Sequence, residues 1–327
     1  MDELSHKPLR IRTARVGDLK ALRRLLGEVA PPRRHWPTVF SVDRGRATPG
    51  LGEIVLDRCM LLAEQHGAVV ALAGIDLDHG SLAHWHIAAP VRDRKVSDRL
   101  LAEAERLAVS YGITELQVEA PGQWAAWLDA RGYRSSRRGA GRPARFIRSL
   151  ARRQTKYARQ VRAVAEQLGI PADYARRHRL PLQPESSRLV SIGHDLFGRE
   201  QHLGPAAAAA WGRMCRAAAS GGHELMPVSA FRSFNYQQEL LNRKLARGLA
   251  MGQILRVSAA PGYSEHHTGR AIDITTPGFA VLETEFEDSP AFSWLKENAH
   301  VFGFRLSFPR NNRHGLAYEP WHWYFES

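Results

Sequence analysis

Two histidines, an aspartate and a glutamate near the end of the chain have the types and spacing of a hydrolytic metal site. His266 and Asp273 lie in the stretch SEHHTGRAID, and Glu319 and His322 lie in the stretch EPWHW. Catalytic zinc commonly takes three protein ligands, among them histidine nitrogens and carboxylate oxygens, and keeps a fourth position for water. The pattern raises the hypothesis of one metal site, the alternative being polar residues in separate loops.

The elements around these residues could position them together. A tight turn at Thr268 and Gly269 precedes the alternating run RAIDIT, which predicts a strand. A turn that leads into a strand can bring His266 and Asp273 onto one ion, and Gly269 would serve the backbone geometry of that turn. His322 would be the third ligand.

Glu319 has the residue type and position of a general base. Pro320 follows it and stiffens the backbone, so that the carboxylate could be held near the attacking water. A carboxylate in that place can take a proton from water and later pass it to the leaving amine. The sequence therefore favours peptide hydrolysis.

Three separated blocks resemble one known family over roughly residues 181–327. The pattern S-x-H-x-x-G-x-A-x-D is met by SEHHTGRAID, E-x-x-H-W is met by EPWHW, and SAFRSFNYQ resembles S-x-x-R-S-x-x-x-Q. In this order the blocks resemble the VanY/VanX-type D-alanyl-D-alanine carboxypeptidases and dipeptidases of the LAS group of zinc metallopeptidases. The implied fold is an α+β zinc peptidase of the Hedgehog/D,D-peptidase kind.

The resemblance implies a role for each matching residue. His266, Asp273 and His322 would bind zinc, Glu319 would be the general base, and Arg232 would contact the substrate and stabilise the oxyanion. Three further residues are candidates for holding the terminal carboxylate or the backbone of the peptide: Ser264, Ser233 and Gln237.

The leading hypothesis is a zinc carboxypeptidase that releases a C-terminal D-amino acid, D-alanine above all, from peptidoglycan-type peptides. D,D-carboxypeptidase, L,D-carboxypeptidase and D,D-dipeptidase activities all remain open. A rival hypothesis is a non-catalytic, zinc-bearing peptide-binding protein, because Hedgehog signalling domains resemble this peptidase fold. Glu319 and Arg232 argue against that rival, since both catalytic positions are intact.

Other side chains near the motifs carry simpler expectations. His267 is expected to support the site from behind or to be exposed, and Trp321 and Trp323 are expected to pack so that they orient His322. Tyr263 could line the cleft or fill it. The two histidines of the stretch HWH, residues 84–86, are expected to be strand histidines rather than metal ligands.

The first part of the chain, residues 1–148, alternates strands and helices and predicts a mixed α/β domain. The order of elements around VRDRKVSDRLLAEAERLA and WLDARGYRS resembles the GNAT acetyltransferase fold over about 140 residues. That family has R/Q-x-x-G-x-G/A before its long helix, where glycines let the backbone approach the coenzyme A pyrophosphate. Here Arg92 fits, but Lys95 and Ser97 occupy the two glycine places.

Side chains at the glycine places could obstruct the pyrophosphate, so a non-catalytic GNAT-like domain is favoured over an active one. A protein that is bifunctional, or mainly an N-acetyltransferase that uses acetyl-CoA, remains a second hypothesis, with Arg92 and Lys95 as the candidate cofactor contacts. Tyr133 is expected to be a core aromatic residue rather than a catalytic acid.

The bulk properties set the remaining expectations. A chain of 327 residues exceeds the usual size of one core, which predicts two domains, with a basic helical connector at 149–180 between 1–148 and 181–327. The net charge of +13 suits an anionic partner such as an acidic cell-wall polymer, but no nucleic-acid-binding module is recognised. Two distant cysteines predict buried thiols. No leader or membrane span is recognised, which predicts a cytoplasmic protein unless another export route operates. The oligomeric state is not predicted.

Overall fold

The computed structural model describes residues 9–27, 55, 59–87, 94–120, 122–136 and 144–326. The chain divides into two compact units, Met1–Ala158 and Arg159–Ser327. The segment 149–180, predicted as a basic connector, includes the point of the chain where the first unit ends and the second begins. Its first residues belong to the first unit and the remainder belongs to the second.

The first unit is built on a mixed sheet of seven strands. They are β1 (Arg10–Thr13), β2 (Met60–Gln65), β3 (Ala68–Asp76), β4 (Ser81–Ile87), β5 (Glu115–Ala120), β6 (Arg134–Ser136) and β7 (Ala144–Ser149). Their order in the sheet is β1-β2-β3-β4-β5-β7-β6. The β4–β5 pair is parallel and the other neighbours are antiparallel. The predicted mixed sheet is confirmed, whereas its assignment to the GNAT fold stays a prediction.

Helices cover this sheet with faces that repeat at helical spacing. They are α1 (Leu19–Gly27), α2 (Arg94–Ser110) and α3 (Ala125–Asp129), and short 3-10 segments lie at Val16–Asp18, Gly122–Trp124 and Ala151–Arg153. Leu100, Ala104 and Ala108 are fully buried on one side of α2 and belong to the core of this unit. Apolar residues that recur every three to four positions form one apolar face of a helix, and this face packs on the sheet.

The second unit contains a sheet of four antiparallel strands and a separate two-stranded hairpin. The hairpin strands are β8 (Val190–His194) and β9 (Glu200–Leu203), and the sheet strands are β10 (Met226–Ser229), β11 (Ala271–Thr275), β12 (Phe304–Leu306) and β13 (His322–Phe325). The order in the sheet is β10-β11-β13-β12, so β11 and β13 are the inner strands. Every residue of these two strands is buried.

The second unit also contains helices. They are α4 (Lys156–Gln167), which crosses the unit boundary, α5 (Tyr174–Arg177), α6 (Pro205–Ser220), α7 (Phe234–Ala246), α8 (Met251–Val257) and α9 (Pro290–Asn298). Short 3-10 segments lie at Glu265–Thr268, Thr284–Asp288 and Ala299–Phe302. Trp211 and Met214 on α6 share one core with Ile272 and Ile274 of β11. Positions 272 and 274 of β11 therefore face this core. The positions between them face the other side of the sheet, because successive side chains of a strand point to opposite faces.

Residues from the segment predicted as a connector complete a second core of this unit. Ile170, Tyr174 and Leu180 are buried together with Leu241 of α7 and Ile254 of α8. The Tyr174 hydroxyl also accepts a hydrogen bond from the backbone N–H of Ala260, at 3.0 Å. The amphipathic pattern of the segment thus predicts a packed face, and in the structure this apolar face packs within the second unit.

Two further expectations concern the described residues. Both cysteines are free; Cys59 is buried and Cys215 is partly buried, where burial raises the pKa of its thiol to about 12. Among the described helices, none combines the length and the apolar character needed to cross a membrane.

Candidate metal centre

Strand pairing places two of the predicted ligands opposite each other. Asp273 on β11 and His322 on β13 are register partners in the antiparallel ladder, and Ser229 on β10 pairs with Asp273 from the other side. Facing residues of an antiparallel pair have neighbouring Cβ atoms, so their side chains can meet on one face of the sheet. The sheet itself therefore fixes the separation of these two groups.

The third predicted ligand lies on the 3-10 segment Glu265–Thr268, immediately before β11. Gly269 ends this segment with φ of 64°, and a Cβ there would lie 2.9 Å from the backbone nitrogen of Gly204. The predicted role of Gly269 in backbone geometry is confirmed, because only glycine takes this conformation at such close approach without strain. The tight ending returns the chain to β11 and brings His266 beside Asp273.

The three side chains form one buried cluster. His266 Nε2 lies 3.3 Å from Asp273 Oδ2, and His322 Nδ1 lies 2.9 Å from Asp273 Oδ1. The two imidazole rings meet edge to face with centroids 4.9 Å apart. One potential ligand atom from each residue lies within 4.8 Å of the others. A single ion could contact all three atoms after small side-chain adjustments.

The arrangement of hydrogen bonds fits a metal ion. His266 Nδ1 donates to the backbone carbonyl of Ala230 at 2.5 Å, which leaves Nε2 as the unprotonated nitrogen. Nε2 is buried and has no hydrogen-bond partner within the described part of the chain. A buried polar atom without a partner is costly unless a ligand satisfies it. Two imidazole nitrogens and one carboxylate are the donor set of many catalytic zinc sites.

Burial and neighbouring charges separate the pKa values of the three groups. Burial, together with the nearby charge of Arg232, lowers the pKa of His266 to about 4. Burial alone would raise the pKa of Asp273, but the neighbouring His266 and the hydrogen-bonded His322 hold it below its usual range. Burial opposes the charged form of His322, but its hydrogen bonds to Asp273 and Glu265 outweigh this and raise its pKa to about 10.

Glu319 lies at the edge of the same cluster. Its Oε2 is 3.9 Å from His322 Nδ1, and its side chain is 16% exposed. Its backbone carbonyl accepts the N–H of His322, at 3.1 Å, so the two residues share one turn of backbone. Burial raises the pKa of Glu319 to about 7. A carboxylate with such a pKa exchanges protons near neutral pH, as a general acid–base group must.

Arg232 is fixed beside the cluster through its backbone. Its N–H donates to the carbonyl of His266 at 3.3 Å, and its own carbonyl accepts from Nδ1 of His267 at 2.6 Å. The guanidinium Nε is buried and lacks a partner among the described residues. A donor held in place in this way is suited to an incoming oxygen atom.

His267 is fully buried, which decides between the two expectations for it. Its Nε2 accepts the backbone N–H of Gly262 at 3.1 Å while Nδ1 donates to Arg232. Burial lowers its pKa to about 4, so the ring is neutral. His267 therefore supports Arg232 from behind.

The three residues predicted to hold the peptide lie in different surroundings. Ser264 is buried at the start of the 3-10 segment that carries His266. Ser233 caps α7, where its hydroxyl accepts the N–H of Tyr236 at 3.1 Å. Gln237 is 1% exposed and donates from Nε2 to the carbonyl of Ala259 at 2.8 Å. Contacts of Ser264, Ser233 and Gln237 with a substrate stay predictions.

The aromatic neighbours fit packing roles. Trp323 is 3% exposed and its indole N–H donates to the carbonyl of Pro320, and Trp321 is partly buried against the same core. Tyr263 packs beside Tyr174 with ring centroids 5.3 Å apart, in the core that includes α7 and α8. The packing expectation for both tryptophans is confirmed, and Tyr263 is partly buried against that second core.

The residues considered for acetyl-CoA binding and catalysis lie in the first unit. Arg92 lies outside the described residues, Lys95 is exposed in the first turn of α2, and Ser97 is buried. The hydroxyl of Tyr133 donates to buried Glu105 at 3.0 Å, and burial raises its pKa far above the usual value. The core role expected for Tyr133 is confirmed, whereas acetyl-CoA binding stays a prediction.

One carboxylate in direct contact with the cluster is not among the residues predicted from the sequence. Glu265 Oε2 lies 3.1 Å from His322 Nε2, and the residue is 6% exposed. Arg305, on β12, and Ser307, which follows this strand, both donate to this carboxylate. The sequence offered one signal for it: Glu265 is an acidic residue that lies inside the motif, between Ser264 and His266.

Comparisons with known proteins indicate a family for the second unit. Residues 200–327 match a family model described as VanY, D-alanyl-D-alanine carboxypeptidase. The bifunctional D-Ala-D-Ala dipeptidase and D-Ala-D-Ala carboxypeptidase VanXYC of Enterococcus gallinarum is 30% identical over 159 residues, which cover 45% of this chain and 78% of that protein.

Two further similarities cover smaller parts of the relatives. The putative carboxypeptidase YodJ of Bacillus subtilis is 33% identical over 129 residues, or 38% of this chain, and the chain spans only 46% of that relative's length. A solved structure of the LdcB LD-carboxypeptidase is 31% identical with a TM-score of 0.40, covering 43% of this chain and 69% of that one.

Proposed function

Because the chain belongs to the VanY D-alanyl-D-alanine carboxypeptidase family, we propose that its second unit is a zinc carboxypeptidase that removes a C-terminal D-alanine from peptidoglycan-type peptides. The observation that carries the proposal is the buried cluster of His266, Asp273 and His322, with Glu319 beside it. Buried Nε2 of His266 has no hydrogen-bond partner among the described residues, and a bound metal ion would satisfy it.

His266, Asp273 and His322 would hold the ion. Their two nitrogens and one carboxylate match zinc better than the oxygen-preferring ions magnesium and calcium. When bound, zinc acts as a Lewis acid that polarises a carbonyl and makes water more acidic. The other steps belong to residues of the chain.

Glu319 would be the proton carrier. Its raised pKa, about 7, lets the ionised form accept a proton from the attacking water and the protonated form return it to the leaving amine of D-alanine. Asp273 has the opposite shift, with a pKa held below its usual range, so it stays ionised. Two carboxylates with pKa values pushed apart in one site are typical of an acid–base group beside a permanently charged one.

Arg232 would donate to the oxyanion that forms on the scissile carbonyl. Its backbone is tied to His266 and to His267, so the guanidinium starts from a fixed base. A fixed donor that meets charge only in the transition state accelerates the reaction without strengthening ground-state binding. Ser264 is the best placed of the predicted peptide contacts, because it adjoins the segment that carries His266.

A panel of peptides tests the proposal and selects the subtype. The zinc-loaded protein would be incubated with a pentapeptide ending in D-Ala-D-Ala, a tetrapeptide ending in one D-Ala, and free D-Ala-D-Ala, with products followed by mass spectrometry. Cleavage of the first, second or third indicates a D,D-carboxypeptidase, an L,D-carboxypeptidase or a D,D-dipeptidase. A pentapeptide ending in L-Ala is the matched control. Zinc binding without release from any D-peptide would instead support the non-catalytic binding protein.

A further inference from the structure

Both ring nitrogens of His322 have carboxylate partners, unlike those of His266. His322 Nδ1 lies 2.9 Å from Asp273 Oδ1, and Nε2 lies 3.1 Å from Glu265 Oε2. His266 instead donates from Nδ1 to a neutral backbone carbonyl, that of Ala230. The two histidines therefore offer opposite nitrogens to the shared centre: Nε2 from His266 and Nδ1 from His322.

Glu265 is held in place by side chains other than the imidazole of His322. Arg305 Nη2 donates to Oε1 at 3.1 Å, and the Ser307 hydroxyl donates to Oε2 at 2.5 Å. Arg305 is fixed in turn by Glu326, whose Oε1 lies 2.6 Å from the guanidinium Nε. The buried charge of Glu265 is thus paired and hydrogen-bonded, as a buried carboxylate must be.

These contacts also give the two ring nitrogens of His322 different neighbours. Nε2 faces Oε2 of Glu265, at 3.1 Å. If an ion took the lone pair of Nδ1, the remaining ring proton would be on Nε2, and the Glu265 carboxylate would accept it in a hydrogen bond. Nδ1 is the nitrogen that faces Asp273 and lies 3.9 Å from Glu319.

We propose that Glu265 is a positioning residue for the metal centre, which fixes the ring orientation and the Nε2–H tautomer of His322 so that Nδ1 is the ligand atom. A carboxylate that accepts the N–H of a metal-bound histidine both orients the ring and makes the other nitrogen more basic. The inference rests on the zinc site of the proposed function but not on peptide cleavage. Glu265 is not one of the three candidate ligands.

The test compares zinc affinities, measured by competition with a chromophoric chelator and without any peptide. Glu265→Leu removes the acceptor and should weaken zinc binding by about 10- to 100-fold. Glu265→Gln keeps an acceptor oxygen but removes the charge, so it should restore part of that affinity. If Glu265→Leu does not fold, Glu265→Gln carries the test alone, and wild-type affinity in it would overturn the proposal.

Glu326→Gln is the matched control, because Glu326 contacts the same Arg305 from the other end and is not bonded to His322 in any described contact. It should bind zinc as the wild type does. An equal loss of affinity in Glu326→Gln and Glu265→Gln would show that the ion-pair network acts through stability alone, and would overturn the proposal.

Nitrogen NMR of the zinc-loaded protein gives a second readout. With ¹⁵N-labelled histidine, His322 should show a protonated Nε2 and a metal-bound Nδ1 in the wild type and in Glu265→Gln. A zinc-bound Nε2 in the wild type would contradict the inference. If the wild type binds zinc in this way but cleaves no peptide, the proposed function fails while the role of Glu265 stands. If the wild type cleaves a peptide but binds zinc through Nε2 of His322, the role of Glu265 fails while the proposed function stands.

Discussion

Asp273 and His322 are register partners on the inner strands β11 and β13, although 49 positions separate them in the chain. The geometry of two of the three ligand candidates is therefore set by backbone pairing in a buried sheet. The third, His266, depends on the short segment Glu265–Thr268 and the left-handed Gly269 that ends it. The candidate metal centre therefore combines two ligand candidates on paired strands with one on a short 3-10 segment.

Zinc should stabilise the protein against thermal unfolding. A ligand that binds only the folded state at about 100 times its Kd adds about 2.7 kcal/mol. Calorimetry with zinc and with excess chelator should show the rise in Tm in the transition of the second unit. His266→Ala should abolish the rise, whereas His194→Ala, an exposed histidine of the β8–β9 hairpin, should keep it. An unchanged rise in His266→Ala would remove this residue from the ligand set.

Gly269→Ala should destabilise the second unit by about 1–3 kcal/mol, because a side chain is strained in this backbone conformation. The added Cβ would also lie 2.9 Å from the backbone nitrogen of Gly204. Urea unfolding measures the loss. Gly252→Ala is the control, since a Cβ at this position of α8 meets nothing within 4 Å, and it should be neutral or stabilising. Equal stabilities of the two variants would refute the explanation.

Asp195 should make stability depend on pH. Burial alone would raise its pKa, but hydrogen bonds from Arg199 and Phe197 and the charge of Arg199 outweigh this and lower it. A lowered folded-state pKa means that the stabilisation is fully present above the ordinary value of about 4 and is lost as the pH falls through the lowered one.

Asp195→Asn should therefore lower Tm at pH 7, and its difference from the wild type should shrink as the pH falls below about 4. Thermal unfolding in the presence of chelator, from pH 7 to pH 3, measures this. Asp173→Asn, which breaks an exposed pair with Arg177, should change Tm little at any pH. A deficit for Asp195→Asn that stays constant down to pH 3 would be inconsistent with the lowered pKa.

Arg232→Lys should reduce kcat about 100- to 1,000-fold while the zinc content stays unchanged. Lysine keeps the charge but not the planar set of N–H donors, and the backbone contacts of this position are independent of the side chain. Steady-state kinetics with the best peptide of the panel, beside zinc analysis, checks this. Arg243→Lys, an exposed arginine on α7, is the control and should be fully active. Full activity of Arg232→Lys would assign the oxyanion to another donor.

The motif residues could be predicted because the chemistry restricts their types and spacing. His266, Asp273, His322 and Glu319 occur in short patterns, and the structure brings them together. The alternating run before Thr275 also predicts β11 correctly, since alternation is local information.

The contacts that the sequence did not reveal depend on tertiary neighbours. Glu265 meets Arg305 and Ser307 across 40 and 42 positions, and no local pattern specifies such a meeting. Likewise, the apolar face of the segment around Tyr174 is visible as a helical repeat, but the repeat cannot tell which unit will cover it. The buried partner of His267 is a backbone carbonyl, a group that every residue possesses.

The most direct test of the central claim measures D-alanine release and zinc content together, for the wild type and for Glu319→Gln. The wild type should release D-alanine from at least one peptide of the panel. Glu319→Gln should bind the same amount of zinc and lose at least about 100-fold in rate, because its amide cannot carry the proton. Glu285→Gln, an exposed glutamate, should behave as the wild type. Wild-type rates in Glu319→Gln would contradict the account.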